Sequence, residues 1–283
     1  MVIKLNYLRS EFSAELKKCG LSDFAADLNL IFMNVLSIDK TQLVLGERVI
    51  SDDELSALRS CIDRLKQGEP VAYIIGHSEF MSLDFIVKKG VLIPRADTEI
   101  LVEAVIKRLD NARPLSVGDF CCGSGCIGIS IAHYLSNALV TFVDISETAL
   151  EITQKNAEIN GVLNRTSLTK ADLTESMPSG TFDCVVSNPP YIRSDVIPAL
   201  DAKVRNFEPA LALDGGADGL DFYRRLSKSA PLKNGGLLAF EIGFDQGDAV
   251  CEILKQNSYD NIELLKDLEN RDRVVLGILK NSL

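Results

Sequence analysis

The chain has 283 residues, of which 46% are hydrophobic, and its formal net charge is -10. This length exceeds the usual size of one domain, so we expect two domains and a sizeable core. The negative charge is spread along the chain without a basic block, which argues against direct binding of nucleic acid. The longest stretch without a charged residue, from Phe120 to Val143, is interrupted by glycine, serine and asparagine, so we expect no membrane span.

The N-terminus and the cysteines predict a cytoplasmic protein. Residues 1–7 lack the apolar core and the cleavage site of a secretory signal. Seven cysteines without metal-like pairing suit a reducing compartment better than a disulfide framework. The two histidines, His77 and His133, are too few and too far apart to indicate a zinc site. We therefore expect no bound metal, and we expect a monomer.

Residues 1–75 have the apolar periodicity of helices. Apolar side chains recur at spacings of three and four from Leu21 to Val35 and again from Leu55 to Leu65, after the capping segment Ser51–Glu54. These side chains are predicted to form the core of a small helical domain that has no catalytic group. We expect this domain to recognise a macromolecular substrate, and a purely stabilising role is the alternative.

The remaining chain is predicted to be a hairpin followed by an α/β domain. Short apolar alternation between residues 76 and 94 predicts a linking β-hairpin. In residues 95–283, strands near residues 115, 139, 166, 182, 236, 260 and 273 alternate with helical segments. This order predicts a seven-stranded, mostly parallel, doubly wound sheet with a final antiparallel pairing. Ligands bind such sheets at the carboxyl ends of the strands.

The first strand of this domain runs into a glycine-containing turn and an apolar helix. Gly123 and Gly125 permit close approach of a ligand, and exposed amides at the helix start can face it. The next strand ends in Asp144, 19 residues after Gly125, where a carboxylate can accept hydrogen bonds from both ribose hydroxyls. The turn and Asp144 together are typical of nucleotide binding.

The third strand of the domain, Thr166 to Lys170, is followed by Asp172 and Leu173. The carboxylate could accept a hydrogen bond from an adenine amino group, and the leucine could pack on the face of the base. Three strand ends would then surround one adenosine. The candidate cofactor-binding residues at these strand ends are Gly123, Gly125, Asp144, Asp172 and Leu173.

The fourth strand leads into the sequence Asn188-Pro189-Pro190-Tyr191. Two successive prolines fix φ and remove two amide donors, so the segment becomes a rigid corner of hydrogen-bond acceptors. The Asn188 side-chain oxygen and the backbone carbonyls of Asn188 and Pro189 can accept hydrogen bonds from a planar NH2 group, and the Tyr191 ring can pack beside it. This pattern predicts chemistry on an NH2 group, and an ordinary proline-rich turn is the structural alternative.

A redox dinucleotide enzyme would share the nucleotide-binding features. The chain lacks a second device for handling phosphate, which favours S-adenosylmethionine, a cofactor without phosphate. Its sulfonium is already an activated methyl donor, so the protein mainly has to align donor and acceptor. Neither a metal nor a general base is strictly needed.

Seven sequence blocks occur in order along nearly the whole chain: Gly68–Gly76, Glu79–Phe80, Leu92–Glu99, Cys121–Gly125, Asn188–Tyr191, Phe207–Pro209 and Asp272–Val274. In this order the chain resembles the peptide chain release factor N5-glutamine methyltransferases. The resemblance implies that S-adenosylmethionine donates a methyl group to the side-chain amide nitrogen of the glutamine in the Gly-Gly-Gln loop of a class 1 release factor. By the same resemblance, the cofactor would be held by Cys121, Cys122, Gly123, Ser124, Gly125, Asp144, Asp172, Leu173 and Asn188. Asn188, Pro189, Pro190 and Tyr191 would bind that glutamine, with Asn188, Pro189 and Tyr191 as catalytic residues.

Two other functions stay open at this point. An adenine N6-methyltransferase acting on nucleic acid would use the same Asn-Pro-Pro-Tyr segment, but it would need a basic groove and a means of expelling the base from the stack. A noncatalytic adenosyl-binding protein would need the path from the sulfonium to Asn188 to be blocked.

The cofactor turn departs from the family pattern at Cys121 and Cys122, where the family usually has glycine and a small hydroxyl residue. Cys121 carries a Cβ atom, so positive φ would be unfavourable there. We therefore expect this turn to be slightly shifted or to lie in an ordinary region of backbone space.

Overall fold

The computed structural model describes residues 3–281, which form two compact units. One unit contains the described residues up to His77 together with Ala202–Phe207. The other contains Ser78–Asp201 and the described residues from Glu208 onward. Each unit buries its own hydrophobic clusters.

The first unit is mainly helical. Short strands β1 and β2 pair in antiparallel fashion, and five helices surround one apolar cluster. In chain order its elements up to residue 75 are β1 (Ile3–Lys4), α1 (Leu5–Lys18), α2 (Ala25–Leu36), α3 (Lys40–Leu45), β2 (Val49–Ile50), α4 (Asp52–Lys66) and α5 (Val71–Ile75).

The predicted helix signals are present in this unit. The Ser51 side chain accepts a hydrogen bond from the backbone N–H of Glu54, while the Glu54 carboxylate accepts one from the backbone N–H of Ser51. This reciprocal capping starts α4. Leu58, Ile62 and Leu65 on the same helix are buried, as their spacing predicted.

The second unit begins at Ser78 within the first strand of an antiparallel hairpin and continues as alternating strands and helices. The short helix α9 of the first unit interrupts it in sequence. The elements are β3 (His77–Phe80), β4 (Leu83–Ile86), α6 (Glu99–Arg108), β5 (Leu115–Phe120), α7 (Cys126–Tyr134), β6 (Ala138–Asp144), α8 (Glu147–Ile159), β7 (Thr166–Lys170), β8 (Phe182–Ser187), α9 (Ala202–Phe207), α10 (Asp221–Ser229), β9 (Leu232–Glu241), α11 (Gly247–Gln256), β10 (Tyr259–Lys266) and β11 (Asp272–Leu279).

The seven strands from β5 to β11 form one sheet in the order β10-β11-β9-β8-β5-β6-β7. Only β11 runs antiparallel to its two neighbours. The prediction of a mostly parallel, doubly wound sheet with a final antiparallel pairing is therefore confirmed. The chain order reverses between β5 and β8, and such a switch point is where open α/β sheets form a ligand crevice.

Both faces of the sheet are covered. Successive residues of a strand belong to different apolar clusters, as with Val185 and Val186 on β8 or Leu238 and Ala239 on β9. This alternation follows from the pleat, which points neighbouring side chains to opposite faces. A strand buried on both sides explains the continuous apolar sequence of β8. Among the residues described, no helix is both long and apolar enough to cross a membrane.

One buried carboxylate ties the amino end of β8 to its neighbours. Asp183 Oδ2 accepts a hydrogen bond from the backbone N–H of Ser116 on β5 at 2.8 Å and from Lys233 Nζ on β9 at 2.8 Å. Asp183 Oδ1 accepts one from Arg113 Nη1 at 2.9 Å. Burial alone would raise the pKa of Asp183, but hydrogen bonds from Lys233, Ser116 and Arg113 outweigh it and hold the pKa at about 2. The ionised form is therefore part of the folded structure.

We expect Asp183→Asn to lower the free energy of unfolding at neutral pH by about 1–3 kcal/mol, because the variant loses charge-assisted hydrogen bonds. The folded-state pKa lies below the unfolded one, so the stabilisation is complete above the unfolded pKa and disappears as the pH falls toward about 2. Denaturant unfolding across this pH range measures the effect. Asp195→Asn, which removes an exposed partner of Arg193, is the control. Equal losses in the two variants would contradict the role of Asp183.

Candidate active site

A cavity of about 380 Å³ lies where the parallel strands of the second unit end. Its lining combines the turn after β5, the end of β6, the segment after β7 and the corner after β8. This volume is in the range of small-molecule sites. The strand ends that the sequence predicted to share one edge therefore line one cavity.

The turn after β5 has a left-handed backbone at three positions. The φ angles are 59° at Cys121, 56° at Gly123 and 77° at Gly125. The expectation of an ordinary backbone region at Cys121 is therefore wrong. The backbone N–H of Cys122 donates to the carbonyl of Val143 on β6 at 3.2 Å, and this bond holds the chain in place as it leaves β5. A left-handed residue with a Cβ atom costs roughly 1–2 kcal/mol, so tertiary structure overrides the local preference.

The two glycines of the turn have different surroundings. A Cβ atom on Gly123 would meet no described protein atom within 4 Å, and Gly123 lines the cavity. A Cβ atom on Gly125 would lie 2.7 Å from Thr153 Cγ2, and Gly125 lies outside the lining. Gly123 thus leaves space on the cavity side. Gly125 allows α7 to begin close to α8. Of the two glycines, only Gly123 therefore concerns a ligand directly.

Helix α8 holds the turn from behind. Thr153 Oγ1 donates to the carbonyl of Gly123 at 3.1 Å, and Asn156 Nδ2 donates to the carbonyl of Ser124 at 2.9 Å. Asn156 also exchanges hydrogen bonds with the backbone of Ile86 on β4. The sequence patterns did not identify Thr153 or Asn156, because nothing local marks a polar residue on a helix as a clamp for a distant turn.

Asp144 ends β6 with both carboxylate oxygens engaged. Oδ2 accepts a hydrogen bond from the backbone N–H of Gly123 at 3.0 Å, and Oδ1 accepts one from that of Ser146 at 2.9 Å. Burial raises the pKa of Asp144, and these backbone bonds oppose the shift. The carboxylate is therefore fixed in the cavity wall, and each oxygen keeps a second lone pair for a ligand.

Asp172 and Leu173 follow β7 and line the same cavity. Asp172 Oδ1 accepts hydrogen bonds from the hydroxyl of Thr174 at 2.6 Å and from its backbone N–H at 2.9 Å. The hydroxyl bond is the main reason that the pKa of Asp172 is lowered. Leu173 is buried, and its carbonyl accepts a hydrogen bond from Arg225 Nε. The pair thus offers a fixed carboxylate beside an apolar surface.

The corner after β8 reaches the cavity at Asn188 and Pro190. Pro189 is buried and Tyr191 is half-buried, and both lie outside the lining. Gln246 Nε2 donates to the carbonyl of Tyr191 at 3.0 Å, which fixes the backbone of the corner. Burial, with Glu241 as the next cause, raises the pKa of Tyr191 to about 12, so its hydroxyl stays protonated at neutral pH.

An ion pair closes the side of the cavity near Pro209. Arg95, in the lining, donates from Nη2 to Oε1 of Glu208 at 2.5 Å. The Glu208 side chain is 2% exposed, and burial raises its pKa while Arg95 opposes the shift. Both residues belong to blocks that carried the family resemblance, and neither was among the predicted catalytic, cofactor-binding or substrate-binding residues. The ion pair could not be read from two blocks more than a hundred positions apart.

Three thiols belong to this region. Cys121, Cys122 and Cys126 line the cavity, and burial raises the pKa of each, to about 12 for Cys126. All seven cysteines of the chain are free. Within residues 3–281, no group of three or more His, Cys, Asp or Glu side chains could hold a metal ion.

Comparisons with known proteins show which fold and family this chain shares. Residues 94–206 match the model of the methyltransferase small domain. A solved methyltransferase from Pyrococcus furiosus shares the fold, with a TM-score of 0.51 and 16% identity over 80% of this chain and all of the other. The fold and the site define an S-adenosylmethionine-dependent methyltransferase.

Residues 8–76 match the PrmC N-terminal domain. The chain is 42% identical to a release factor glutamine methyltransferase from Clostridium acetobutylicum, over 93% of this chain and 94% of that protein. It is 48% identical to another from Moorella thermoacetica, over 76% of this chain and 77% of that protein. The chain therefore belongs to the release factor glutamine methyltransferase family, and its cofactor is S-adenosylmethionine.

The two glycines of the turn give a matched pair of variants. We expect Gly125→Ala to lower the free energy of unfolding by about 2–4 kcal/mol, because left-handed strain adds to a clash with Thr153. Gly123→Ala should introduce only the backbone strain and so lower the free energy of unfolding by about 1–2 kcal/mol. It should nevertheless weaken cofactor binding, because its methyl group enters the cavity. Unfolding without cofactor and titration calorimetry with S-adenosylmethionine measure the two effects. If both variants lost similar amounts of unfolding free energy and of affinity for S-adenosylmethionine, the different roles given to the two glycines would be contradicted.

Proposed function

We propose that this enzyme methylates the side-chain amide nitrogen of the glutamine in the Gly-Gly-Gln loop of class 1 peptide chain release factors. The observation that supports this most is that one cavity combines the nucleotide-type turn with the acceptor corner. Asn188 lines the cavity that Gly123 and Asp144 also line. A methyl donor and an NH2 group could therefore meet within one enclosed space.

The residues present fit the cofactor. Gly123 leaves room on the cavity side, and Asp144 keeps a lone pair on each oxygen for ribose hydroxyls. Asp172 and Leu173 supply an acceptor and an apolar surface for the adenine. When bound, S-adenosylmethionine supplies a methyl group activated by its sulfonium. The residues proposed to hold it are Cys121, Cys122, Gly123, Ser124, Gly125, Asp144, Asp172, Leu173 and Asn188, with Gly125 acting through the shape of the turn.

The corner after β8 would prepare the acceptor. An amide nitrogen is a poor nucleophile because its lone pair is delocalised into the carbonyl. The Asn188 side-chain oxygen and a backbone carbonyl of the corner would each accept one N–H of the glutamine side chain. Holding both N–H groups favours a localised lone pair that points at the methyl group, and this stabilises the transition state more than the ground state.

The protein around the corner would contribute rigidity. Pro189 and Pro190 are buried, and the Tyr191 backbone is anchored by Gln246. A corner that does not move keeps the acceptor aligned, and alignment is the main catalytic requirement of this transfer. Tyr191 would act by packing rather than by proton transfer, since its raised pKa keeps the hydroxyl protonated.

We propose the division of labour that the sequence suggested. Residues 1–75 would recognise the release factor, residues 76–94 would link, and residues 95–283 would carry out methyl transfer. The helical unit has a core of its own, so recognition could be altered by surface substitutions without loss of its fold.

Transfer of labelled methyl from S-adenosylmethionine to a purified class 1 release factor tests the proposal. We expect one methyl group per release factor, and none on a release factor whose Gly-Gly-Gln loop carries Ala instead of Gln. Label retained on the Ala variant would contradict the glutamine assignment. Label transferred to an adenine-containing oligonucleotide, and not to the release factor, would favour the adenine methyltransferase instead.

We expect Asn188→Ala to lower kcat by about 100- to 1000-fold, because a group that binds the reacting amide is lost. The dissociation constant of S-adenosylmethionine, measured by calorimetry, should remain within about tenfold of the wild-type value, because at most one hydrogen bond to the cofactor is lost. Asn164→Ala is the control, because Asn164 is exposed just before the amino end of β7, away from the strand ends that line the cavity. Unchanged turnover in Asn188→Ala would contradict the role of Asn188.

A further inference from the structure

Glu241 lies beside Asn188 at the end of the neighbouring strand. Strands β8 and β9 are parallel, and Ser187 pairs with Phe240. Asn188 and Glu241 are the next residues along the two chains, so their side chains leave the sheet in the same direction, on strands about 5 Å apart. Glu241 does not line the cavity, whereas Asn188 does. The Glu241 carboxyl group therefore lies on the side of the Asn188 amide that faces away from the cavity.

Glu241 is 2% exposed, and its atom Oε2 has no hydrogen-bond partner among the residues that the structure describes. A buried acceptor without a partner is costly, so it is uncommon in folded proteins. The side chains of Thr98 and Asn188 are near enough to lower the pKa of Glu241, although neither forms a bond of good geometry with Oε2. The Asn188 amide can satisfy this atom by turning its nitrogen toward it.

Five other groups that can carry charge interact electrostatically with Glu241: Asp97, Cys126, Tyr191, Tyr223 and Arg273. Of these, Arg273 is the cation, and its guanidinium is held by Asp267 at 3.0 Å and by Asp97 at 3.3 Å. Burial raises the pKa of Glu241 to about 7, while Thr98, Arg273 and Asn188 oppose the shift. Arg273 is already shared between two carboxylates, which leaves Glu241 without a dedicated cation.

We propose that Glu241 is a positioning residue that accepts a hydrogen bond from Asn188 Nδ2 and so directs Asn188 Oδ1 toward the methyl acceptor. This inference rests on the proposed function of Asn188. A side-chain amide has a donor end and an acceptor end of nearly the same shape. Only the acceptor end suits a glutamine NH2 group, because the donor end would oppose two N–H groups. A carboxylate behind Asn188 selects the productive orientation.

Kinetics with the release factor test this inference. Glu241→Met removes the acceptor at similar size and should lower kcat by about 10- to 100-fold, which corresponds to one hydrogen bond to a charged group. Affinity for S-adenosylmethionine should remain near that of the wild type. Glu241→Gln keeps a carbonyl that can accept from Asn188, so it should restore most of the lost rate. Glu252→Met makes the same exchange on the exposed side of α11 and should leave kcat unchanged.

The dependence of the methylation rate on pH shows whether Glu241 orients Asn188 or only packs against it. In the wild type the rate should fall toward that of Glu241→Gln as the pH drops below about 7, because protonation replaces the charged acceptor of Glu241 with a neutral carbonyl, which is a weaker acceptor. In Glu241→Gln this change should be absent. Asp119, whose pKa burial also raises to about 7, is present in both proteins and cannot cause the difference.

A second measurement needs no release factor. In isotope-labelled protein, the side-chain amide signals of Asn188, assigned by their absence in Asn188→Ala, should titrate with a midpoint near pH 7. In Glu241→Met this titration should disappear. If the signals titrate but the wild type does not methylate glutamine, the proposed function fails while the positioning stands. Signals that do not titrate, or a kcat of Glu241→Met equal to that of the wild type, would overturn the inference.

Discussion

Four strands of the sheet share one row of paired residues at or next to their carboxyl ends, and this row positions the strand-end residues of the site. Phe120 pairs with Val143 on one side and with Ser187 on the other, and Ser187 pairs in turn with Phe240. The Ser187 hydroxyl also donates to the carbonyl of Phe120 at 2.6 Å, which locks β8 to β5. A slip of one residue in any of these strands would turn its side chains to the opposite face. The residues that follow the row are Cys121, Asp144, Asn188 and Glu241.

The strands and the residues at their ends could be predicted from the sequence because their signals are local. The sequence predicted a strand near each of the seven observed positions, and Asp144 and Asn188 stand at the carboxyl ends that such strands bring together. The left-handed backbone of Cys121 could not be predicted, since cysteine disfavours it and a bond from Cys122 to another strand imposes it. The clamps from Thr153 and Asn156 also escaped prediction, because their partners lie about thirty positions away in sequence.

Two buried carboxyl groups near the cavity, Glu208 and Glu241, have a raised pKa. Glu208 is paired with Arg95 on the cavity side, and Glu241 lies behind Asn188 on the protein side. Each keeps one buried oxygen without a hydrogen-bond partner among the described residues. Burying such groups disfavours folding, so the fold tolerates a cost at both positions. Incomplete satisfaction of this kind is common where a protein keeps hydrogen-bonding capacity for function.

The thiol of Cys121 shares the cavity that we assign to a methyl donor, and this position has a chemical consequence. Sulfur is an excellent nucleophile toward alkylating agents, but only as the thiolate. Burial, reinforced by the nearby carboxylate of Asp144, raises the pKa of Cys121 far above neutrality. Burial, assisted by the acidic group that suits a ribose, therefore keeps the cysteine inert. The enzyme can thus carry a soft nucleophile in the wall of its own cofactor cavity without alkylating itself.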